Sequence, residues 1–180
     1  RGIAMHQDCI SPAKHSEFSN PEELLRFVDK LRKLSGGKPV GIKLCVGHPW
    51  EIISIIKTMT TTKKYVDFIT VDGAEGGTGA APAEFTDHIG CPLKDAIVFV
   101  DNALVGANLR DRVKIGASGK VVSAFDIAHM CALGADWVNM ARPFMFSIGC
   151  IQCRSCHTGE CPTGIATMDP MRYRLSLIHI

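Results

Sequence analysis

The feature that most limits the fold of this chain is a regular alternation of helix signals and strand signals. An apolar stripe after a capping Ser19 or Asn20 predicts a helix that stops at Gly36. A short, nearly continuous apolar run then predicts a strand buried on both faces. The two signals recur along the chain. The predicted strands are KPVGIKLCV, VDFITVDG, RVKIGASG and DWVNMARPF, and further helices are predicted at about residues 49–60, 92–110 and 123–134.

Strands that alternate with helices predict an α/β fold, in which a parallel sheet is either doubly wound or closed into a barrel. Two observations favour the barrel. Each predicted strand ends in a polar or glycine-rich segment, and the last two end in SGK and ARP, where barrels commonly bind phosphate. Only four strands are visible in 180 residues, whereas a complete barrel needs about 250. We therefore expect residues 1–149 to form the second, C-terminal half of a (β/α)8 TIM barrel, and we expect this half not to fold stably alone.

Charge and hydropathy exclude two classes of partner. The net charge is +2 and the basic residues are scattered, which argues against a nucleic-acid partner. No stretch reaches the roughly 18 consecutive apolar residues of a membrane-spanning helix, and RGIAMHQDCI lacks the apolar core of a secretory signal. We expect a cytoplasmic protein without a membrane partner. The final residues, 175–180, are expected to be a sequencing-adaptor scar.

The sharpest chemical signal is a cluster of cysteines in GCIQCRSCHTGECPTG. Cys150, Cys153, Cys156 and Cys161 are separated by two, two and four residues, close to the ferredoxin spacing but with one extra residue in the last gap. Thiolates spaced in this way can converge on an iron–sulfur cluster. Tetrahedral zinc fits four cysteines equally, and free thiols are the third alternative. The other cysteines are isolated and are expected to be small buried side chains without a chemical role: Cys9, Cys45, Cys91 and Cys131.

A second signal is the glycine-rich segment VDGAEGGTGAAP at the end of a predicted strand. Its glycines would let the backbone approach a flat or charged ligand, and Thr78 adds a hydroxyl group. The spacing is not that of a dinucleotide-binding fingerprint, and a plain turn remains an alternative.

A third signal is a pair of candidate phosphate contacts. Ser118, Gly119 and Lys120 are expected to open one helix, and Ala141 and Arg142 to close the next strand. Backbone N–H groups at a helix N-terminus together with a cation suit a phosphate monoester. Lys120 and Arg142 could equally be solvated surface charges.

Lys43 stands inside the apolar strand GIKLCV, where a charged side chain needs a partner. A lysine at a barrel mouth can stabilise negative charge on a ligand, such as a reduced flavin. We therefore take Lys43 as the candidate catalytic residue.

The motifs GGTGA, SGK, GCI, CH and CPTG resemble those of the FMN-binding domain of glutamate synthases, most closely the stand-alone bacterial and archaeal branch. The similarity runs from DCISP through SGGKPVGIKLC to CPTGIAT. The resemblance implies a (β/α)8 barrel that binds FMN, followed by a cluster segment at residues 150–174. It also implies that Cys150, Cys156 and Cys161 hold a [3Fe–4S] cluster. Cys153 is additional to this ligand set, and with it a [4Fe–4S] cluster is conceivable.

The resemblance also implies where FMN would lie. Lys43 would be near the pyrimidine side of the flavin ring, and Gly77, Thr78 and Gly79 would lie beside the isoalloxazine. Four residues would surround the phosphate: Ser118, Gly119, Ala141 and Arg142. The larger glutamate synthases carry a charged residue and a double glycine where this chain has residues 116–119, so substrate contacts are expected to differ.

The reaction implied is the reduction of 2-iminoglutarate, formed from 2-oxoglutarate and ammonia, to L-glutamate. Electrons would pass from a donor, either ferredoxin or an NAD(P)H-linked subunit, through the cluster to FMN. A separate glutaminase subunit could supply the ammonia. Three alternatives remain at this point: a related amine-dependent synthase, a flavin and iron–sulfur electron carrier without catalysis, and a zinc-stapled structural protein.

Overall fold

Four parallel strands and the helices between them make up most of what the computed structural model describes, namely residues 7, 14–77, 81 and 84–176. The elements alternate as the sequence predicts. In chain order they are α1 Pro21–Leu34, β1 Ile42–Leu44, α2 Pro49–Thr62, β2 Phe68–Asp72, α3 Leu93–Gly106, β3 Lys114–Ser118, α4 Ala124–Ala132, β4 Trp137–Asn139, α5 Ala141–Ser147 and α6 Pro170–Tyr173.

The strands lie side by side in chain order, β1-β2-β3-β4, and every neighbouring pair is parallel. This confirms the predicted α/β fold. The order lacks the reversal that defines a doubly wound sheet, so it favours the barrel alternative. With right-handed crossovers, an order of this kind places the connecting helices on one face of the sheet. Closure into a complete barrel stays a prediction.

The two faces of the sheet differ sharply because side chains alternate along each strand. One face packs against the helices and carries buried apolar residues, among them Ile69, Val71, Ile115 and Ala117. We call the opposite side the open face. Its strand residues are Lys43, Phe68, Thr70, Asp72, Lys114, Gly116, Ser118, Trp137 and Asn139.

Local capping signals set the helix boundaries. The side chain of Asn20 accepts a hydrogen bond from the Glu23 N–H at 2.9 Å, so Asn20 is the cap that begins α1. At the other end, the N–H of Gly37 bonds to the carbonyl of Arg32 at 2.8 Å, and Gly37 adopts a positive φ of 87°. The predicted start and stop of this helix are both confirmed.

The prediction for the first strand was wrong in extent and burial. Of KPVGIKLCV, only Ile42–Leu44 pairs with a neighbour, and the side chain of Lys43 is exposed. The physical reason is position. β1 lies at an edge of the described sheet, and just before it the N–H of Val40 bonds to the side chain of Asp67. An edge strand can hold a charged side chain that a doubly buried strand could not.

The region around the fourth strand also differs from its prediction. DWVNMARPF was expected to be one strand, but β4 ends at Asn139 and α5 begins at Ala141. Pro143 fits this helix because its missing N–H falls in the first turn, where N–H groups have no partner within the helix. Ala141 and Arg142 therefore open a helix rather than close a strand.

An arginine clamp joins the first two strands. Arg32, near the end of α1, bonds to the carboxylate of Asp67 at 2.9 Å and to the carbonyl of Tyr65 at 2.8 Å. The same carboxylate accepts the N–H of Val40 at 2.7 Å, and the Asp67 N–H returns to the Val40 carbonyl at 2.9 Å. The clamp ties the start of β2 to both α1 and the approach to β1.

The same arrangement recurs at the third and fourth strands. Arg110, which follows α3, bonds to the carboxylate of Asp136 at 2.9 Å and to the carbonyl of Gly134 at 2.8 Å. Asp136 accepts the N–H of Ile115 at 2.7 Å, and its own N–H returns to the Ile115 carbonyl at 2.7 Å. Arg110 also bonds to Asp101 on α3. Two αβαβ units, α1-β1-α2-β2 and α3-β3-α4-β4, thus carry the same clamp.

A glycine under an aromatic ring marks the same point of each unit. A Cβ on Gly41 would collide with the ring of Phe68, and a Cβ on Gly116 would lie 2.5 Å from the indole of Trp137. The two rings meet edge to face with centroids 5.5 Å apart. These contacts lie at the amino ends of β2 and β4, so the opposite ends of the strands are left for polar groups.

The first clamp predicts a pH effect. Burial would raise the pKa of Asp67, but the Val40 N–H and the Arg32 guanidinium outweigh it and lower the pKa below its usual value. A carboxylate with a lowered folded pKa stabilises the protein above its unfolded pKa of about 3.9, and this contribution is lost as the pH falls through the folded pKa.

We expect Asp67→Asn to lower the free energy of unfolding by about 1 kcal/mol at pH 7, because the side chain is 40% exposed and solvent screens it. The deficit should vanish below the folded pKa. Urea unfolding across a pH series measures it, and an equal deficit at every pH would contradict the assignment.

Candidate functional site

The carboxyl ends of the strands bring together residues that the sequence had singled out separately. In the register of the sheet, Asp72 of β2 is opposite Ser118 of β3, and Ser118 is opposite Asn139 of β4. Lys43 of β1 is opposite Thr70, one layer below Asp72 on the same face. Polar groups of four strands therefore share the open face at its carboxyl edge, where parallel sheets commonly carry ligand sites.

Lys43 has the partner that its sequence position demanded. Its Nζ lies 2.8 Å from Oδ2 of Asp72, the last residue of β2. The lysine side chain is 56% exposed, whereas the aspartate side chain is 24% exposed. The ammonium group is thus held at the edge of the open face while remaining accessible to a ligand.

The glycine-rich segment turns back immediately above this ion pair. The N–H of Gly73 bonds to the carbonyl of Ser118 at 2.9 Å, and the N–H of Gly76 bonds to the carbonyl of Gly73 at 2.8 Å. A Cβ on Gly76 would collide with the Asp72 carboxylate, so the turn requires glycine there. Gly77 is exposed with a φ of 102°. The predicted contacts Thr78 and Gly79 lie outside the described residues.

The loop after β3 lies against the glycine-rich segment. Gly119 has a φ of 144°, and a Cβ there would be 3.4 Å from the backbone nitrogen of Gly73. Ser118, Gly119 and Lys120 do not open a helix as predicted, since α4 begins at Ala124 after its cap Ser123. The reason is the capping box, in which Ser123 and Asp126 satisfy each other's backbone N–H groups.

The two candidate phosphate cations have different surroundings. Lys120 is engaged, because its Nζ lies 2.7 Å from an oxygen of Asp87. Arg142 is half-buried in the first turn of α5, and within the described ranges its side chain makes no hydrogen bond or ion pair. Since Asn139 is opposite Ser118, α5 begins beside the loop after β3. Arg142 is the better candidate for binding an anion from solution.

The four clustered cysteines follow α5 in a stretch without regular structure. Cys161 is buried, Cys150 and Cys156 are half-buried and Cys153 is exposed. Nowhere in the described ranges, which include all four, do three potential ligands lie close enough together to hold a metal ion. The structure therefore presents the donors without bringing them to one point.

Cys161 has an unusual environment for a thiol. Burial would raise its pKa, but hydrogen bonds from the Thr163 hydroxyl and from the backbone N–H groups of Ala166, Thr163 and Ile165 outweigh burial and lower the pKa to about 7. A thiolate surrounded by N–H donors has the chemistry of a ligand to an iron–sulfur cluster.

Three residues of this region were missed by the sequence reasoning. Asp72 is the partner of Lys43, and Asn139 lies on the open face beside Ser118. The Glu75 carboxylate accepts the N–H of Leu93 at 3.0 Å, which anchors the glycine-rich segment to the start of α3. For Asp72 and Glu75, the two acidic residues of the short VDGAE motif were the available signal.

These features define an α/β protein whose polar, glycine-rich site lies at the carboxyl ends of parallel strands. The chain belongs to the glutamate synthase family, because the family model described as the conserved region in glutamate synthase matches residues 1–177.

Individual relatives agree with this membership. The chain is 51% identical to a glutamate synthase large subunit-like protein of Bacillus subtilis over 94% of its length and 32% of that protein. It is 38% identical to an archaeal NADPH glutamate synthase of Methanocaldococcus jannaschii, over 94% of this chain and 33% of the relative. A ferredoxin-dependent glutamate synthase of Synechocystis is 32% identical over 89% of this chain and 10% of the relative. The chain thus spans about a third of the first two relatives.

Among solved structures, flavocytochrome b2 with sulfite bound aligns with 66% of this chain and 28% of its own, at a TM-score of 0.44 and 19% identity. Among the residues that the structure describes, no helix is long and apolar enough to span a membrane.

Proposed function

We propose that this chain carries the FMN-binding and cluster-binding part of a glutamate synthase-like oxidoreductase. The enzyme would reduce 2-iminoglutarate, formed from 2-oxoglutarate and ammonia, to L-glutamate. The observation that carries the proposal is the meeting of an accessible ammonium group, Lys43, with a glycine-rich turn at the carboxyl ends of the strands. Family membership supports the same reading.

The residues of the open face fit a flavin mononucleotide. FMN, when bound, supplies hydride transfer to an imine carbon. Lys43 would place a positive charge at the pyrimidine edge of the ring, where negative charge develops on reduction. The turn through Gly76 and Gly77 would let the backbone approach the isoalloxazine, and we propose that Thr78 and Gly79, which lie outside the described residues, continue that contact.

The phosphate of FMN would be bound next to the end of β3. Ser118 and Gly119 offer a hydroxyl and a backbone N–H, and Ala141 offers another N–H at the start of α5. Arg142 supplies the guanidinium, which is well suited to phosphate because it can donate two parallel hydrogen bonds. Lys120 would be a secondary contact, since Asp87 already neutralises it.

For the cysteine segment, the donor chemistry fits an iron–sulfur cluster although the donors do not converge. The cluster, when bound, supplies single electrons. Cys150, Cys156 and Cys161 would hold a [3Fe–4S] cluster, and recruitment of Cys153 would make a [4Fe–4S] cluster the alternative. The lowered pKa of Cys161 means that its thiolate is available near neutral pH, as metal binding requires.

The names of the relatives suggest partners. One is an NADPH glutamate synthase and another is ferredoxin-dependent, so both kinds of electron donor occur among them. We propose an electron donor of one of these two classes, with 2-oxoglutarate as the small-molecule substrate and a separate glutaminase subunit as a possible ammonia source.

We expect Arg142→Ala to weaken FMN binding by the full-length protein about tenfold, because one charge-assisted phosphate contact is lost. Quenching of flavin fluorescence measures the affinity. Riboflavin is the control ligand because it lacks the phosphate. Arg142→Ala should bind riboflavin as tightly as wild-type protein does. Arg26→Ala, at an exposed position on α1, is the matched protein control.

Wild-type protein that bound riboflavin and FMN equally would contradict the phosphate assignment. Formation of L-glutamate from 2-oxoglutarate and ammonium, with a chemical reductant, tests the reaction itself. A flavin-loaded protein whose spectrum did not respond to 2-oxoglutarate would contradict the substrate.

A further inference from the structure

The ion pair between Lys43 and Asp72 connects every part of the site described above. Lys43 belongs to β1, Asp72 ends β2, and Asp72 is opposite Ser118 of β3. The carboxylate also lies directly under the turn at Gly76. We propose that Asp72 is a positioning residue, whose carboxylate fixes the Lys43 ammonium and seats the glycine-rich turn above it. The inference rests on the proposed FMN site, and it assigns a function to a residue that would not touch the reacting atoms.

The two side chains differ in conformational freedom, so one of them positions the other. A lysine side chain has four rotatable bonds, and when it is more than half exposed it samples many positions unless a partner holds it. Asp72 is short, mostly covered and mounted on a strand that is paired on both sides. The aspartate therefore determines where the ammonium lies.

The glycine-rich turn depends on the same carboxylate. The hydrogen bond from Gly76 to the Gly73 carbonyl folds the turn back onto Asp72, and Glu75 fastens its other side to Leu93 at the start of α3. No side chain can be added at Gly76 without displacing Asp72. Asp72 therefore contacts both the ammonium group and the turn, and under the proposal it determines how far apart they are held.

The pair is separate from the groups that hold the fold together. Lys43 and Asp72 lie on the open face, away from the buried apolar cluster between sheet and helices. Removing the Asp72 charge should therefore leave folding intact while releasing Lys43.

Zero-length carbodiimide coupling tests the geometry without any cofactor. The reagent condenses a carboxylate with a nearby amine to give an amide, and peptide mass spectrometry quantifies the Lys43–Asp72 link. The Lys120–Asp87 pair, at 2.7 Å, is an internal reference in the same sample. We expect Gly76→Ala to lower the Lys43–Asp72 link at least fivefold relative to that reference. Gly47→Ala should not, because a Cβ there meets its nearest atom at 3.4 Å.

FMN titration tests the role toward the ligand. We expect Asp72→Asn to weaken FMN binding about tenfold, as the loss of one charge-assisted contact would. In a Lys43→Met background the same change should alter the affinity less than twofold, because asparagine keeps the shape that seats the turn and there is no ammonium group left for the charge to position. Thermal melting of each variant checks that the fold survives.

Each outcome decides between the proposals. Wild-type protein without affinity for FMN would contradict the proposed function. Wild-type protein that binds FMN, with Asp72→Asn binding equally well, would overturn this inference alone. An undiminished effect of Asp72→Asn in the Lys43→Met background would also overturn it, and so would an unchanged coupling ratio in Gly76→Ala.

Discussion

Replacing Arg110 by methionine is expected to lower the free energy of unfolding by about 3 kcal/mol. The guanidinium binds two carboxylates, those of Asp101 and Asp136, and two carbonyls, those of Val113 and Gly134. All three charged side chains are about a quarter exposed, so the carboxylates left behind could not recover full hydration. Urea unfolding at neutral pH measures the change.

The equivalent arginine of the first clamp gives a second test variant, and an exposed arginine on α1 gives a control. Arg32→Met should cost less, about 1 to 2 kcal/mol, because Arg32 holds the equivalent clamp with Asp67 and the Tyr65 carbonyl but the Asp67 side chain is 40% exposed and recovers more of its hydration. Arg26→Met should cost no more than about 0.5 kcal/mol, since its ion pair with Glu22 is exposed and 3.8 Å long. Equal losses for Arg110→Met and Arg26→Met would show that the clamp does not hold the strands.

Replacing Cys161 by alanine is expected to abolish cluster binding, whereas Cys153→Ala should retain it. Cys161 is the buried thiol whose pKa is lowered to about 7, and under the proposed ligand set its loss leaves two thiolates for the cluster. Cys153 is exposed and additional to that set. Iron and acid-labile sulfide, measured after anaerobic maturation of the full-length protein, report the difference.

Low-temperature EPR separates the two cluster types. With three ligands, both wild-type protein and Cys153→Ala should show the S = 1/2 signal of an oxidised three-iron centre. A change of signal in Cys153→Ala would show that Cys153 is a ligand. Full iron content in Cys161→Ala would contradict the proposed ligand set.

Local signals in the sequence predicted the order of elements because capping and periodicity act over a few residues. Asn20 and Gly37 mark the two ends of α1 through hydrogen bonds within one or two turns. The same local patterns failed in DWVNMARPF, where one apolar run continues from a strand into a helix and periodicity cannot separate the two.

The sequence singled out Lys43 and the glycine-rich segment as candidates, but it did not give their contacts. Lys43 in an apolar strand demanded a partner, yet only the register between β1 and β2 identifies that partner as Asp72. The internal repeat was hidden for the same reason. Gly41 and Gly116 occupy equivalent positions, as do Asp67 and Asp136. So few shared residues do not reveal a repeat in the sequence, and the equivalence is visible only in the contacts that these residues make.

The cysteine spacing predicted which residues could be metal ligands but not whether they lie close together. Whether the four thiols converge depends on the backbone path of an irregular segment, which spacing does not determine. In the described structure they do not converge on one point. Metal binding can supply the free energy that orders such a segment.

The visible absorption spectrum of the full-length protein, matured anaerobically with iron and sulfide and then incubated with FMN and desalted, tests the central claim most directly. The account predicts retained flavin bands on top of broad cluster absorption, with less flavin retained by Arg142→Ala than by wild-type protein. A colourless protein would contradict it.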